Sequence, residues 1–143
     1  MTCLNGHWKL ESNGENWEEY MKAMGVNIVL RKVANNLTIY EELKQEGEEW
    51  VLNLTSTFKN QYLRFRLGEE FPESTADGRK PMSTLTVEDN KLVHKQRAVK
   101  KNEIDSTIIR ELIDSETMHL TAIAHCANGT DVTCVRVFKR YTP

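Results

Sequence analysis

The stretch Val132-Thr133-Cys134-Val135-Arg136-Val137-Phe138 decides the fold class of this chain. It is rich in β-branched residues, and the two-residue period of a strand puts Val132, Cys134, Arg136 and Phe138 on one face. An earlier stretch, Thr107-Ile108-Ile109-Arg110-Glu111-Leu112, repeats the pattern, with Arg110 sharing a face with Ile108 and Leu112. A guanidinium among apolar side chains is costly unless an anion meets it. Turned to water, the same arginine costs nothing. Two readings therefore stand at this point: the two faces line an interior that receives an anion, or they face solvent.

Strand character extends outward from these segments to most of the chain. From about Leu37 onward, short β-branched and aromatic runs are separated by turn signals: Glu46-Gly47, Gly68, Asp77-Gly78, Asp89-Asn90, Asp114-Ser115 and Asn128-Gly129. The last pair reads as a two-residue hairpin turn. The spacing predicts roughly eight or nine antiparallel strands here, plus one around His7-Trp8-Lys9-Leu10, and so a sandwich or a closed barrel. Thr55, Thr57, Gln61, Arg64, Arg66, Thr84, Thr86, Gln96, Arg97 and Thr121 leave both faces of the strands polar in places. That fits a barrel holding water and a ligand better than one packed solid with side chains.

One helical region interrupts the strands. Asn16 suits an N-cap, Glu19 stands where a capping box needs it, and the helix from Trp17 to Met24 stops at Gly25. Trp17, Tyr20, Met21 and Met24 form one apolar stripe. A second helix starts at Asn27 and ends near Asn35-Asn36, and the short link makes a helical hairpin.

The bulk numbers narrow the function. The 143 residues suit one domain with a real core. A net charge of -2 gives no global field for nucleic acid. The N-terminus has neither the basic nor the apolar region of a signal peptide, and no apolar run reaches membrane-spanning length. Three irregularly spaced cysteines, Cys3, Cys126 and Cys134, read as reduced thiols of a cytosolic protein. The N-x-T triplets at Asn36, Asn53 and Asn128 then carry no glycan. His7, His94, His119 and His125 make no metal-ligand constellation and read as structural or surface residues. No nucleophile-base arrangement or phosphate loop appears.

The order of elements and several motifs resemble the intracellular lipid-binding proteins, the fatty-acid-binding and cellular retinoid-binding proteins. The matching segments are Gly6-His7-Trp8-Lys9-Leu10, Asn16-Trp17-Glu18-Glu19-Tyr20-Met21, Arg31-Lys32-Val33-Ala34, Ser56-Thr57-Phe58-Lys59-Asn60 and Phe65-Arg66-Leu67-Gly68-Glu69-Glu70-Phe71. They continue through Thr75-Ala76-Asp77-Gly78-Arg79-Lys80, Leu92-Val93-His94-Lys95-Gln96, Ile109-Arg110-Glu111-Leu112-Ile113-Asp114 and Val135-Arg136-Val137-Phe138-Lys139-Arg140. The resemblance spans nearly the whole chain.

It implies a single domain, 1–143, mainly β: a ten-stranded antiparallel up-and-down β-barrel, clam-like, capped by a helix-turn-helix lid. It implies a monomeric cytoplasmic carrier of long-chain fatty acids, present also in the nucleus, with no cofactor and no catalysis. Arg110 and Arg136 match the positions where such carriers hold the ligand carboxylate. Retinol carriers usually have glutamines there, so two arginines favour an acid over an alcohol. The family's frequent Arg-x-Tyr is here Arg136-Val137-Phe138, as in the intestinal type. That places Phe138 at the head group, removes about 1 kcal/mol of hydrogen bonding from a phenol, and makes Arg110 the alternative main seat of the head group. Trp17, Tyr20, Met21, Val26, Leu30, Val33, Phe58, Ala76 and Asp77 match the tail site and its portal. Lys22, Arg31 and Lys32 resemble a helix-borne basic cluster used for nuclear import or for docking on anionic membranes; a solvated helix face is the plainer reading.

The chain departs from the family pattern in four places. It has one residue more between Leu10 and Asn16, longer stretches at 98–105 and 124–131, and no proline in Leu37-Thr38-Ile39. The alternatives to a fatty-acid carrier are a carrier of another hydrophobic acid, such as a retinoid or bile acid, and a ligand-dependent protein that docks on a nuclear receptor or a membrane.

Overall fold

The computed structural model describes residues 3–143. Its strands are β1 (Gly6–Ser12), β2 (Tyr40–Glu46), β3 (Glu49–Thr55), β4 (Gln61–Arg66), β5 (Phe71–Pro72), β6 (Met82–Glu88), β7 (Lys91–Arg97), β8 (Asp105–Asp114), β9 (Thr117–His125) and β10 (Asp131–Arg140), and the helices α1 (Trp17–Ala23) and α2 (Ile28–Asn35) lie between β1 and β2. All ten strands join one sheet in the order β4-β3-β2-β1-β10-β9-β8-β7-β6-β5, each antiparallel to its neighbours. This is the expected up-and-down barrel with its helical cap.

The barrel is laced by backbone ladders everywhere except between β4 and β5. Side chains stitch that gap. Gln61 Nε2 donates to Glu73 Oε2 (3.1 Å) and to the Ser74 carbonyl (2.7 Å), and the Phe65 and Phe71 rings stack at 5.9 Å.

Alternating strand direction sorts the connections onto two ends. The tight turns β2–β3, β6–β7 and β8–β9 lie at the end where the chain enters β1 and leaves β10. The left-handed φ of Gly47 (66°) makes the first of them and the paired left-handed residues Asp89 and Asn90 make the second. Large apolar side chains crowd this end: Trp8, Trp50, Phe138, Leu85, Leu92 and Met118 are almost fully buried. Arg140 ties it shut, with its guanidinium carbon 4.2 Å from the centre of the Trp8 ring and its nitrogens donating to the carbonyls of Cys3, Asn5 and Ser115. The lid and the loops after β3, β5, β7 and β9 occupy the other end, so the apolar core is a plug beneath one wall of a container.

Three local expectations need correction. Asn16 does precede α1, but with a left-handed φ of 68° and no capping hydrogen bond; its amide donates to the Thr133 carbonyl instead (3.3 Å). Docking of the lid on β10 thus outcompetes the local cap. Asn27 caps α2 as the sequence suggests, accepting from Leu30 N at 3.0 Å. Asn128-Gly129 lies inside a wider loop, residues 126–130, because the β9–β10 ladder ends at the pair Asp131–His125. And of the polar strand residues, Arg64, Arg66 and Arg97 point outward to Glu46, Glu48 and Glu70, whereas Thr55, Gln61 and Gln96 line the interior. Interior polarity is real, but the arginines among those residues do not contribute to it.

Candidate functional site

Between the plug and the lid lies a cavity of about 1210 Å³ of space unfilled by protein, its mouth included. Its upper wall is apolar. Trp17, Tyr20, Met21, Val26, Leu30, Val33, Phe58, Ala76 and Asp77 all line it, so the structure gathers every residue assigned to tail and portal. The elements explain why. In α1 the stripe that buries Tyr20, Met21 and Met24 faces the lumen, and the Tyr20 hydroxyl is pinned to Ser106 Oγ on β8 at 2.7 Å. Burial, partly offset by that hydrogen bond, raises the phenol's pKa. Ser56 Oγ accepts from the backbone N–H of Phe58 and Lys59 in the β3–β4 turn, which holds the half-exposed Phe58 ring at the rim. Asp77 is held by the Arg79 guanidinium (2.7 Å) and the Thr75 hydroxyl (2.7 Å).

The lower wall carries charge. Arg110 and Arg136 both line the cavity and are both nearly inaccessible, so the solvent-facing reading of their strands falls. Their cross-strand register is shared: each stands opposite Leu120 of β9. Two interstrand spacings therefore separate their backbones, about 10 Å.

Their partners differ in kind. Arg110 meets Glu41 of β2, Nε to Oε1 at 2.9 Å and Nη2 to Oε2 at 3.2 Å, a two-pronged ion pair that crosses the lumen. Arg136 Nε and Nη2 share the Asn13 side-chain oxygen, at 3.1 and 3.0 Å. Its guanidinium carbon lies 3.9 Å from the centre of the Trp17 ring, which in turn stacks on Tyr20. Burial lowers the Arg136 pKa to about 10, with the charge of Glu41 pulling the other way; the group stays cationic at neutral pH. Phe138 does not join the cavity wall. It is fully buried in the plug, its ring centre 5.9 Å from the Arg136 guanidinium carbon, and a phenyl ring offers no hydrogen bond to a head group.

A second polar centre was not anticipated. Glu73, just after β5, accepts from Ser83 Oγ (2.7 Å), His94 Nε2 (2.8 Å) and Gln96 Nε2 (3.1 Å) as well as from Gln61. Burial alone would raise its pKa. The hydrogen bond and charge of His94, helped by Ser83 and Gln96, win and hold it at about 2. His94 is thus a cavity-wall residue and not a surface one. Asn13 was missed as well, although the extra residue between Leu10 and Asn16 marked its loop. Gly14 approaches Val135 so closely, at φ 67°, that a Cβ there would stand 2.1 Å from the Val135 carbonyl oxygen. That approach brings Asn13 over Arg136.

The basic cluster on the lid does not form as a unit. Lys22 and Lys32 are exposed, but Arg31 is paired with Glu18 at 2.7 Å and donates to the Val26 carbonyl, binding α2 to α1. Among the described residues no group of side chains is arranged to hold a metal, and no helix is long and apolar enough to cross a membrane.

Comparison with known proteins agrees with this architecture. Residues 5–141 match the family model described as the lipocalin / cytosolic fatty-acid binding protein family. A sodium/calcium exchanger regulatory protein 1 from Doryteuthis pealeii is 39% identical over 96% of each chain. Fatty acid-binding protein homolog 5 of Caenorhabditis elegans is 48% identical over 73% of this chain and 76% of its own. Retinol-binding protein 1 of Rattus norvegicus is 38% identical over 96% of each. A solved fatty acid binding protein of Schistosoma mansoni in complex with arachidonic acid superposes with a TM-score of 0.87 at 33% identity, covering 99% of this chain and 98% of that one. A lidded ten-stranded barrel, a cavity with an apolar roof and a charged floor, and these matches together place the chain in the lipocalin / cytosolic fatty-acid binding protein family.

Proposed function

We propose that this protein is a carrier that reversibly binds a long-chain fatty acid in the cavity between plug and lid, with no covalent chemistry. One observation carries the reading: a cavity roofed by the apolar faces of α1, α2 and Phe58 ends on two buried arginines. The relatives named for fatty acids support it. An acyl tail gains roughly 0.8 kcal/mol per buried methylene, about 10 kcal/mol gross for a long chain before the costs of association. The head group then needs cationic donors in a low-dielectric site, which arginine supplies in fork geometry. Dissociation constants from about nanomolar to micromolar are expected.

The test is titration of delipidated protein with oleate, read by displacement of a fluorescent fatty acid and by native mass spectrometry. One-to-one binding in that range is the expected result; absence of both oleate binding and a co-purified lipid mass sinks the proposal.

A lid-first delivery of the ligand to anionic membranes is a finer part of the same reading. It is favoured by Ile28 and Val29, both well exposed on α2 beside Lys32. An apolar pair next to a cation suits the headgroup boundary. Transfer of a fluorescent fatty acid to vesicles containing phosphatidylserine should slow in Ile28→Ser/Val29→Ser; an unchanged rate would remove the lid from the route.

A further inference from the structure

Glu41 is out of place in a cavity that receives carboxylates. It is nearly fully buried, it lines the cavity, and it offers Arg110 both of its oxygens. Those are the two contacts that a ligand carboxylate would make with the same fork. The inward aim of Glu41 is fixed by register. It pairs with Trp8 on β1 and Leu54 on β3, while the adjacent Glu42 faces outward to Asn53 and His7. Arg136 is different: its acceptor is the neutral Asn13, and among the described residues no carboxylate lies within ion-pairing distance of it.

We propose that Glu41 is a built-in occupant of the Arg110 fork and the residue that sets head-group selectivity. By filling the Nε–Nη2 edge of Arg110 it leaves that guanidinium only Nη1 without a partner, and so favours Arg136 as the two-pronged seat of the lipid head. By adding a negative charge to the floor it weakens the preference for a carboxylate over an uncharged polar head such as an alcohol. The inference rests on the lipid-carrier reading and deepens it. Physically, Glu41 sets its charge between the two floor arginines, whereas the cavity's other buried carboxylate, Glu73, is gripped by four donors at the β4–β5 seam; in a water-poor lumen the Glu41 charge is felt by any anion that approaches those arginines. A Glu41 that merely clamped β2 to β8 would affect stability and leave selectivity untouched.

The experiment compares oleate with oleyl alcohol, which share a tail and differ only in the head, on delipidated native protein, Glu41→Gln, Glu41→Gln/Arg110→Gln and Arg136→Gln. The readout is the ratio of the two dissociation constants. Glu41→Gln should shift the ratio toward oleate by at least about tenfold, the worth of one hydrogen bond to a charged group. Adding Arg110→Gln should remove that gain. Arg136→Gln leaves the Glu41–Arg110 pair intact and should abolish most of the native preference for oleate; it keeps the test alive should Glu41→Gln fail to fold. An unchanged ratio in Glu41→Gln, or an undiminished oleate preference in Arg136→Gln, overturns the proposal. Binding of neither lipid by any form overturns the carrier reading itself, and this inference with it.

Discussion

Two buried carboxylates face the same cavity and are held in opposite ways. Glu41 reaches across the lumen to a permanent cation on β8. Glu73 stays near its own wall, where Ser83, Gln96 and Gln61 surround it as neutral donors and His94 is its sole titratable donor. The contrast separates two jobs that a buried acid can perform. A carboxylate gripped at both oxygens by a guanidinium is a charge fixed in place, so it shapes the field felt by a ligand. A carboxylate held mostly by neutral donors and a histidine stitches an open seam, here the one between β4 and β5, and depends on pH.

The largest predicted effect tests whether the cross-lumen pair behaves as a unit. Arg110→Ala strands Glu41 in the interior and should cost about 3–5 kcal/mol, whereas Glu41→Gln/Arg110→Gln removes both charges and should fall within about 1 kcal/mol of the native protein. Urea denaturation with an unchanged slope reads both values. Equal losses in the single and double variants would mean that packing, not charge pairing, governs that wall.

Glu73 supplies the next effect, and its sign is fixed. Its folded pKa of about 2 lies below the ordinary 4.5, so it contributes stability that is fully present above pH 4.5 and is lost as pH falls toward 2. A displacement of that size corresponds to about 3 kcal/mol. Urea midpoints measured from pH 6 to pH 2 should fall through that window in the native protein and flatten in Glu73→Gln. A Glu73→Gln profile as steep as the native one would assign the acid sensitivity to other groups.

The difference between the two acids also marks how far the sequence could be read. Arg110 and Arg136 were legible because the period of two puts each on an apolar face, and burial of an arginine demands a reason. The reason itself was not legible. Glu41 lies 69 positions from Arg110, and Asn13 lies 123 from Arg136. In Glu41-Glu42 a one-residue slip exchanges the inward and outward side chains, and only the β1 and β3 ladders choose between them. Asn16 misled because its type suits a cap, while a carbonyl 117 positions away holds its amide. The lid residues named from the sequence, Trp17, Tyr20, Met21, Val26, Leu30 and Val33, all line the cavity because a lid has to bury its stripe whatever it covers. Phe138 was misplaced because its strand face is shared by the plug and the cavity, and the alternation of a strand does not say where along the barrel one gives way to the other.

Arg136 refines the comparison further, since it has neither kind of carboxylate. Removing its neutral acceptor in Asn13→Ala leaves a buried cation underserved and should cost about 2 kcal/mol, in the range for a hydrogen bond to a charged group. Saturating oleate should narrow that loss, because the ligand's own carboxylate then serves Arg136. An equal loss with and without oleate would place the head group elsewhere in the cavity.

The smallest effect concerns an ion pair of the same chemistry on the outside of the barrel. Arg66 Nη1 stands 2.7 Å from Glu48 Oε2, closer than either contact of the Arg110–Glu41 pair, yet the two side chains are 49% and 85% exposed. Water solvates both charges whether or not they meet, and holding two long side chains together costs rotamer entropy that offsets the attraction. Arg66→Ala should therefore change stability by less than about 1 kcal/mol, and raising salt should erase even that. Arg110→Ala should keep most of its loss at high salt, because ions do not screen a pair inside a plugged and lidded barrel. If the two variants responded alike to salt, the lumen would be wetter than its burial indicates, and the claim that Glu41 governs head-group selectivity would lose the low dielectric on which it depends.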